Sequence, residues 1–145
     1  MVAHVCHRSE NPVARRTVAS MIESAFPILE VPDVERALAF YRDALGGRIT
    51  YSFPPEGGEP VYIALAVGRS SLGIGLEESP LPPGNMQLWF YVDDVDRVTA
   101  ELEAAGAAVV EQPVDQPWGE RTALVTDPFG TRVRLGAPSA AAESA

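Results

Sequence analysis

The densest group of potential metal donors lies at the start of the chain. His4, Cys6 and His7 place nitrogen and sulfur donors close together, and such donors suit zinc or nickel. A stable site also needs a fourth ligand and a folded frame. Because the cluster precedes the patterned part of the chain, we interpret it as incidental.

The remaining residues offer little for nucleophilic or phosphate chemistry. Both histidines lie within residues 1–24, so the patterned region has no histidine to activate a serine or a cysteine. No Gly-x-Ser-x-Gly elbow occurs. The segment Gly73-Ile74-Gly75 lacks the rest of a dinucleotide fingerprint. Neither a serine hydrolase nor a nucleotide-binding enzyme is expected.

Aromatic and polar side chains instead alternate along predicted strands. Successive residues of a strand point to opposite faces, so residues two apart share a face. The residues grouped in this way are Phe26, Ile28 and Glu30 near the start, Gln87, Trp89 and Tyr91 in the middle, and Arg132 and Arg134 near the end. Aromatic walls with a few polar groups are the usual composition of a small-molecule pocket.

These strands belong to a pattern that the chain repeats 61 residues further on. Residues 31–36 read Val-Pro-Asp-Val-Glu-Arg, and residues 92–97 read Val-Asp-Asp-Val-Asp-Arg. Each copy ends an apolar run and opens a helix that closes on glycine, at Gly46-Gly47 and at Gly106. A repeat of this length suits a duplicated half-domain. The site of such a protein is expected between the two halves.

Each unit is predicted to contain a strand, a helix and three further strands. The predicted strands span 25–31, 48–53, 61–67 and 71–76 in the first unit, and 86–92, 107–111, 121–126 and 131–135 in the second. Asp33 and Asp94 are the predicted N-caps, and Phe53 and Tyr62 are assigned to the core. The predicted organisation is an N-terminal extension over 1–24, unit one over 25–78, a linker over 79–85, unit two over 86–136 and a disordered tail over 137–145.

Composition restricts the class of protein and its partners. A chain of 145 residues with 46% apolar side chains forms one domain with a substantial core. A net charge of −9 argues against nucleic-acid binding, which requires clustered Lys and Arg. One cysteine, no segment approaching the roughly 20 apolar residues of a membrane span and no signal-peptide pattern predict a cytoplasmic protein.

The chain resembles the vicinal-oxygen-chelate superfamily, which includes glyoxalase I, extradiol dioxygenases, fosfomycin-resistance enzymes and bleomycin-resistance proteins. The resemblance rests on residues 31–33 leading to Ala39-Phe40-Tyr41-Arg42-Asp43-Ala44-Leu45-Gly46, on residues 92–96, and on Asp127-Pro128-Phe129-Gly130. Trp118-Gly119-Glu120-Arg121 is most similar to the bleomycin-resistance branch. Over residues 25–136 the resemblance implies an α+β fold of two βαβββ modules that form a curved mixed sheet around a central cavity. It also implies a homodimer.

The resemblance further implies where a metal would be held. Metal-dependent members take one ligand from the first strand and one from the last strand of each module. The matching positions here are Phe26, Gln87, Arg134 and either Gly73 or Gly75. Only Gln87 offers a donor, and a guanidinium repels a divalent cation. No metal and no other cofactor are therefore predicted.

These observations favour a metal-independent protein that sequesters an aromatic or antibiotic-like molecule. The predicted ligand-binding residues are Phe26, Ile28, Glu30, Gln87, Trp89, Tyr91, Trp118, Arg132 and Arg134. The alternatives left open are that Trp89 and Tyr91 only fill a core, that Glu30 and Arg134 form a structural ion pair, and that Trp118 is a buried plug. The rival hypothesis is a divalent-metal-dependent lyase, isomerase or dioxygenase. A non-binding structural or regulatory dimer is the third.

Overall fold

The computed structural model describes residues 21–55 and 58–140, and these residues form two modules of the same plan. Module one contains β1 (Ile28–Val31), α1 (Val34–Leu38), a π-helix that continues α1 (Ala39–Ala44), β2 (Arg48–Phe53), β3 (Tyr62–Val67) and β4 (Ser70–Leu76). Module two contains β5 (Gln87–Tyr91), α2 (Val95–Ala104), β6 (Ala108–Asp115), β7 (Glu120–Thr126) and β8 (Arg132–Pro138). The predicted α+β fold of two βαβββ modules is confirmed.

Each module has its own four-stranded mixed sheet. The strand orders are β1-β4-β3-β2 and β5-β8-β7-β6. In both sheets the first strand of the module runs parallel to the last, and the other neighbours are antiparallel. Among the described residues the strands thus form two sheets of the same topology rather than one continuous sheet.

The strand register preserves the 61-residue repeat residue by residue. Ile28 pairs with Gly73 between β1 and β4, and Trp89 pairs with Arg134 between β5 and β8. Both members of the second pair lie 61 residues after their counterparts. Gly73, and not Gly75, is therefore the counterpart of Arg134, which decides between the two glycines that the sequence left open.

Local chemistry starts and ends the helices as the sequence predicts. The Asp33 carboxylate accepts a hydrogen bond from the Arg36 backbone N–H at 3.1 Å, and Asp94 accepts one from Arg97 at 3.0 Å. Such N-caps satisfy backbone donors that a helix leaves unpaired. After the helices, Gly46 and Gly106 adopt φ values of +81° and +103°, a region that favours glycine.

Each helix packs on one face of its own sheet, which we call the outer face; the opposite face is the inner face. Alternate strand residues such as Leu65, Ile74 and Leu135 meet the helices there and are fully buried. Their apolar side chains form one core that both modules share. Burial of this kind is the dominant favourable term in folding. The inner faces are the surfaces left for function.

A buried hydrogen bond joins the two modules behind the inner faces. The Tyr41 hydroxyl in the π-helix donates to the Asp127 carboxylate in the β7–β8 turn at 2.7 Å, and both residues are buried. Asp127 also accepts the backbone N–H groups of Phe129 and Thr131, each at 2.8 Å. Burial, followed by the neighbouring Asp127, raises the pKa of Tyr41 above its ordinary value of 10.0.

Several predicted boundaries need correction. Strand β1 begins at Ile28, so Phe26 precedes it. Strand β8 continues to Pro138 because Ala137 and Pro138 pair with β7, and therefore the predicted tail does not begin at residue 137. Residues 1–20, which include the His4, Cys6 and His7 cluster, lie outside the described residues. Within the described part of the chain, no helix has the length and apolar character required to cross a bilayer.

Candidate functional site

The inner face of module two gathers five of the predicted site residues. Gln87 pairs with Arg132, and Trp89 pairs with Arg134, so these side chains occupy one face as the alternation predicts. Tyr91 follows Trp89 on that face, and its side chain is half exposed. The intervening residues of β5 pack against the core instead.

Aromatic rings and a carboxylate meet at one end of this face. The ring centroids of Trp89 and Tyr91 are 5.9 Å apart, with an interplanar angle of 54°. The Trp118 indole N–H donates to the Glu120 carboxylate at 2.7 Å. Partial desolvation, together with a hydrogen bond to Glu120, raises the pKa of Tyr91 to about 12. We call these four residues the aromatic–carboxylate cluster.

The exposure of these rings bears on two alternatives that the sequence left open. Trp118 is 51% exposed and Tyr91 is 53% exposed. Trp118 is therefore not a buried plug, and Tyr91 does not fill a core. The N–H of Trp118 holds the ring at the rim of the inner face through Glu120, and the ring surface remains accessible.

Trp89 lies against the backbone of β8. A Cβ built at Gly136 would lie 3.0 Å from the Trp89 Nε1 atom, and two further ring atoms lie within 3.3 Å. The Nε1 atom is buried and has no hydrogen-bond partner among the described residues. An unpaired buried donor costs about 1–3 kcal/mol. Gly136, which sequence reasoning missed, is thus the residue that makes room for the indole.

Both arginines of this face are held by neighbours. The Arg134 guanidinium forms an ion pair with Glu111, because both residues are register partners of Leu124 and flank it on the same face. Arg134 thus has its ion-pair partner within its own module, where the sequence had suggested Glu30. Arg132 donates to the backbone carbonyl of Gly84 in the linker at 3.1 Å and to that of Met86, just before β5, at 3.3 Å.

The inner face of module one is largely apolar. Ile28, Tyr51 and Phe53 are each more than half exposed there. Phe53 was assigned to the core from sequence and is instead on this face. Tyr62 also lies here, because alternate positions of β3, such as Ile63, fill the core. Glu30 is exposed on the same face opposite Gly75, and Phe26 is exposed just before β1.

The four positions that correspond to the metal ligands of the superfamily do not fit a divalent metal. A Cβ at Gly73 would lie 2.6 Å from the Tyr62 hydroxyl, so the ring of Tyr62 closes that position. Arg134 carries a positive charge that Glu111 pairs, and Phe26 has no lone pair to donate. In the part of the chain that the structure describes, no three His, Cys, Asp or Glu side chains come together.

A groove of about 540 Å³ lies between β5 and module one. Residues 88–92, which include Trp89 and Tyr91, line it on one side, and residues 45–47 after the π-helix with the β3–β4 turn, including Arg69, line the other. Its volume lies in the range of small-molecule sites. The groove therefore brings module one to the edge of the aromatic–carboxylate cluster.

A model for the Glyoxalase/Bleomycin resistance protein/Dioxygenase superfamily matches residues 24–135. The chain belongs to this superfamily. The match includes both modules, so the two repeated half-domains together correspond to the family's domain. Membership in the bleomycin-resistance branch in particular remains a prediction.

Three similar proteins illustrate the range of this superfamily. A candidate glyoxylase, CFP32 of Mycobacterium tuberculosis, is 35% identical over 71% of this chain and 38% of its own length. The anthracycline biosynthesis protein DnrV of Streptomyces peucetius is 31% identical over 68% of this chain and 41% of its own. This chain therefore spans less than half the length of either relative. The crystal structure of TioX from Micromonospora sp. ML1 has a TM-score of 0.66 and 26% identity, covering 80% of this chain and 99% of TioX.

Proposed function

We propose that this protein binds a planar aromatic small molecule and sequesters it without the help of a metal ion. The observation that carries the proposal is the aromatic–carboxylate cluster, which offers accessible ring surface on a face where the described residues bring no three His, Cys, Asp or Glu side chains together. Stacking on such rings contributes about 0.5–1.5 kcal/mol per pair beyond the buried area. The name of DnrV, a relative in anthracycline biosynthesis, supports a fused-ring ligand.

We further propose that the binding form is a homodimer. Exposed apolar side chains cover the inner face of module one, including Ile28, Tyr51 and Phe53. Contiguous apolar patches of this kind mark interaction sites on soluble proteins. A second copy of the chain would cover part of this face and enclose the ligand. The presence of one cysteine in 145 residues supports a cytoplasmic location.

Tryptophan fluorescence provides a direct test, because the chain has two tryptophans and both belong to the cluster. Titration with acridine, a planar tricyclic probe, should quench this emission in a saturable manner. Free N-acetyltryptophanamide at the same absorbance controls for optical losses. Analytical ultracentrifugation with and without acridine would report the dimer. Linear, non-saturable quenching equal to that of the free amino-acid derivative would contradict the proposal.

The rival function is a metal-dependent enzyme, which is favoured by the name of CFP32 as a candidate glyoxylase. Elemental analysis of protein purified without chelators separates the two. We expect no stoichiometric zinc, nickel, manganese or iron on a variant in which His4, Cys6 and His7 are replaced by alanine. One metal ion per chain on that variant would favour the enzyme and contradict metal-independent binding.

A further inference from the structure

The groove between β5 and module one differs in charge from the protein as a whole. The chain has 20 acidic and 11 basic side chains, yet the described residues that line this groove include no aspartate and no glutamate. Arg69 is the only described side chain on its walls that is charged at pH 7. A ligand in the groove would therefore meet a positive charge in an otherwise acidic protein.

A second concave surface shows the opposite composition. It lies beside the start of α1 and has a volume of about 720 Å³. Its described lining includes Asp33, Glu35 and Glu59, and no arginine. Charges further away than about 8 Å are largely screened at physiological ionic strength. The lining of each concave surface therefore matters more to a bound group than the net charge of −9, and the groove is the one that suits an anion.

The Arg69 guanidinium is available to such an anion. Arg97, Arg121 and Arg134 each form an ion pair with a carboxylate, whereas within the described ranges Arg69 forms none. Its side chain is exposed in the β3–β4 turn, directly after Gly68, which adopts a φ of +60°. A guanidinium presents its N–H donors as a planar fork that matches the two oxygens of a carboxylate. Arg69 can therefore bind a carboxylate without first releasing a carboxylate of the protein.

Further hydrogen-bond donors lie on both walls of the groove. Ser70 and Ser71 begin β4 on the wall that carries the guanidinium. On the other wall, β5 is an edge strand whose described neighbour is β8 alone. The Val92 N–H donates to Gly136 of β8 at 2.9 Å. Because the N–H groups of a strand alternate in direction, that of Trp89 points to the open edge of β5.

Packing behind the groove connects its two walls. The ring centroids of Phe90 and Tyr41 are 6.4 Å apart, and the Gly47 N–H donates to the Tyr41 carbonyl at 2.9 Å. A Cβ built at Gly47 would lie 3.5 Å from the Val67 Cγ1 atom. Tyr41 thus links β5 to the wall that carries Arg69. A site formed before the ligand arrives loses less conformational entropy on binding.

We propose that the groove contains an anion subsite, in which Arg69 binds a carboxylate attached to the aromatic ligand. The ring system of the ligand would contact Trp89 and Tyr91, which line the groove. Its carboxylate would lie between Arg69 and the edge of β5. This proposal rests on the proposed function, since it assigns the charged group of the same ligand. The ligand class is thus a planar aromatic acid.

Two tricyclic probes of matched shape test the proposal. At pH 7.5, acridine-9-carboxylate is an anion and acridine-9-carboxamide is neutral. We expect the carboxylate to quench the tryptophan emission with about tenfold higher affinity, because charge-assisted hydrogen bonds are stronger than neutral ones. The substitution Arg69→Gln removes the charge but keeps a hydrogen-bond donor. It should reduce the preference to about twofold or less.

A matched control removes one positive charge elsewhere. Arg97 lies on α2, where it forms exposed ion pairs with Asp93 and Glu101. The substitution Arg97→Gln changes the net charge by the same amount as Arg69→Gln, and it should leave the tenfold preference intact. If both variants lose the preference equally, the effect belongs to the overall charge and the subsite is excluded.

A competition measurement needs no variant. Sodium benzoate should displace acridine-9-carboxylate from the wild-type protein, whereas benzamide at the same concentration, with sodium chloride to equalise the ionic strength, should do so less. Equal displacement by the two compounds overturns the subsite. Saturable binding of both acridine derivatives with equal affinity overturns the subsite alone and leaves the proposed function standing. Binding of neither derivative, nor of acridine itself, overturns the proposed function and the subsite together.

Discussion

The two modules have the same backbone plan, but their inner faces differ in chemistry. Where module one has Ile28 and Gly73, module two has Trp89 and Arg134 at the equivalent register positions. Module one presents mainly apolar groups, whereas module two adds ion pairs and the aromatic–carboxylate cluster. The outer faces, by contrast, contribute similar apolar residues to one core. The comparison shows that the two modules kept the same backbone plan and a shared apolar core, while the side chains of their inner faces diverged.

One packing device appears in both modules in a different form. Tyr62 of β3 lies over Gly73 in module one, whereas Trp89 of β5 lies over Gly136 in module two. In each case a glycine of the last strand makes room for an aromatic ring on the inner face. The rings come from different strands, so the two inner faces differ in shape as well as in charge.

The largest effect on stability should come from removing the buried hydrogen bonds of Asp127, which join the two modules. The substitution Asp127→Ala removes the acceptor of three hydrogen bonds at a buried position. We expect the free energy of unfolding to fall by about 3–4 kcal/mol, as measured by urea denaturation. The control is Asp96→Ala, which removes an exposed ion pair with Arg121 and should cost less than about 1 kcal/mol. Equal losses would show that the Tyr41–Asp127 bond does not stabilise the frame.

The next effect compares the two glycines under the rings. At Gly73 a Cβ would lie 2.6 Å from the Tyr62 hydroxyl, whereas at Gly136 its nearest neighbour is 3.0 Å away. We expect Gly73→Ala to cost about 2 kcal/mol and Gly136→Ala about 1 kcal/mol, because crowding of packed side chains destabilises. Thermal unfolding measures both. The opposite ranking would contradict the close packing of Tyr62 on Gly73.

A smaller effect separates the binding contributions of the modules. Trp89 and Ile28 occupy equivalent positions of β5 and β1. We expect Trp89→Leu to weaken acridine binding about tenfold through the loss of stacking, and Ile28→Leu to change it less than about threefold, since it conserves apolar volume. Isothermal titration calorimetry measures both without relying on tryptophan emission. Equal losses would place the binding energy in both modules alike.

The smallest effect is the titration of Tyr91. Its raised pKa, about 12 against 10.0, means that the folded protein favours the neutral phenol. Any stability from this group is present below pH 10 and is lost as the pH rises toward 12. The ultraviolet difference spectrum between the wild type and Tyr91→Phe should therefore show a phenolate that forms near pH 12. In a Glu120→Gln background the midpoint should move down. An unchanged midpoint would mean that Glu120 does not contact Tyr91.

Much of the fold was predictable because its signals are local. Asp33 and Asp94 cap the helices, and Gly46 and Gly106 end them, through contacts within a few residues. The repeat then predicted two modules, since each copy places the same signals in the same order. The extent of β8 was missed because its last residues are held by pairing with β7 rather than by a local pattern.

The site was predictable only where strand alternation is unbroken. Gln87, Trp89 and Tyr91 fall on one face as predicted, since β5 has no bulge. Glu111 was missed because the register of β6 shifts between Val109 and Glu111, which turns Glu111 to the inner face. The role of Glu120 depends on rings from a loop and from another strand. Trp118 is only two residues from Glu120, but no local pattern reports the approach of Tyr91 from β5.

The hydrogen bond between Tyr41 and Asp127 has a consequence for the history of the duplicated chain. The residue 61 positions after Tyr41 is Leu102. By the strand register, the residue of module one that corresponds to Asp127 is Val67. Tyr41 and Asp127 are thus polar, whereas the residues at the equivalent positions, Leu102 and Val67, are aliphatic. A chain made of two copies of either half would leave a hydroxyl or a carboxylate facing hydrocarbon. Since a buried polar group without a partner is costly, neither module can take the place of the other in this fold.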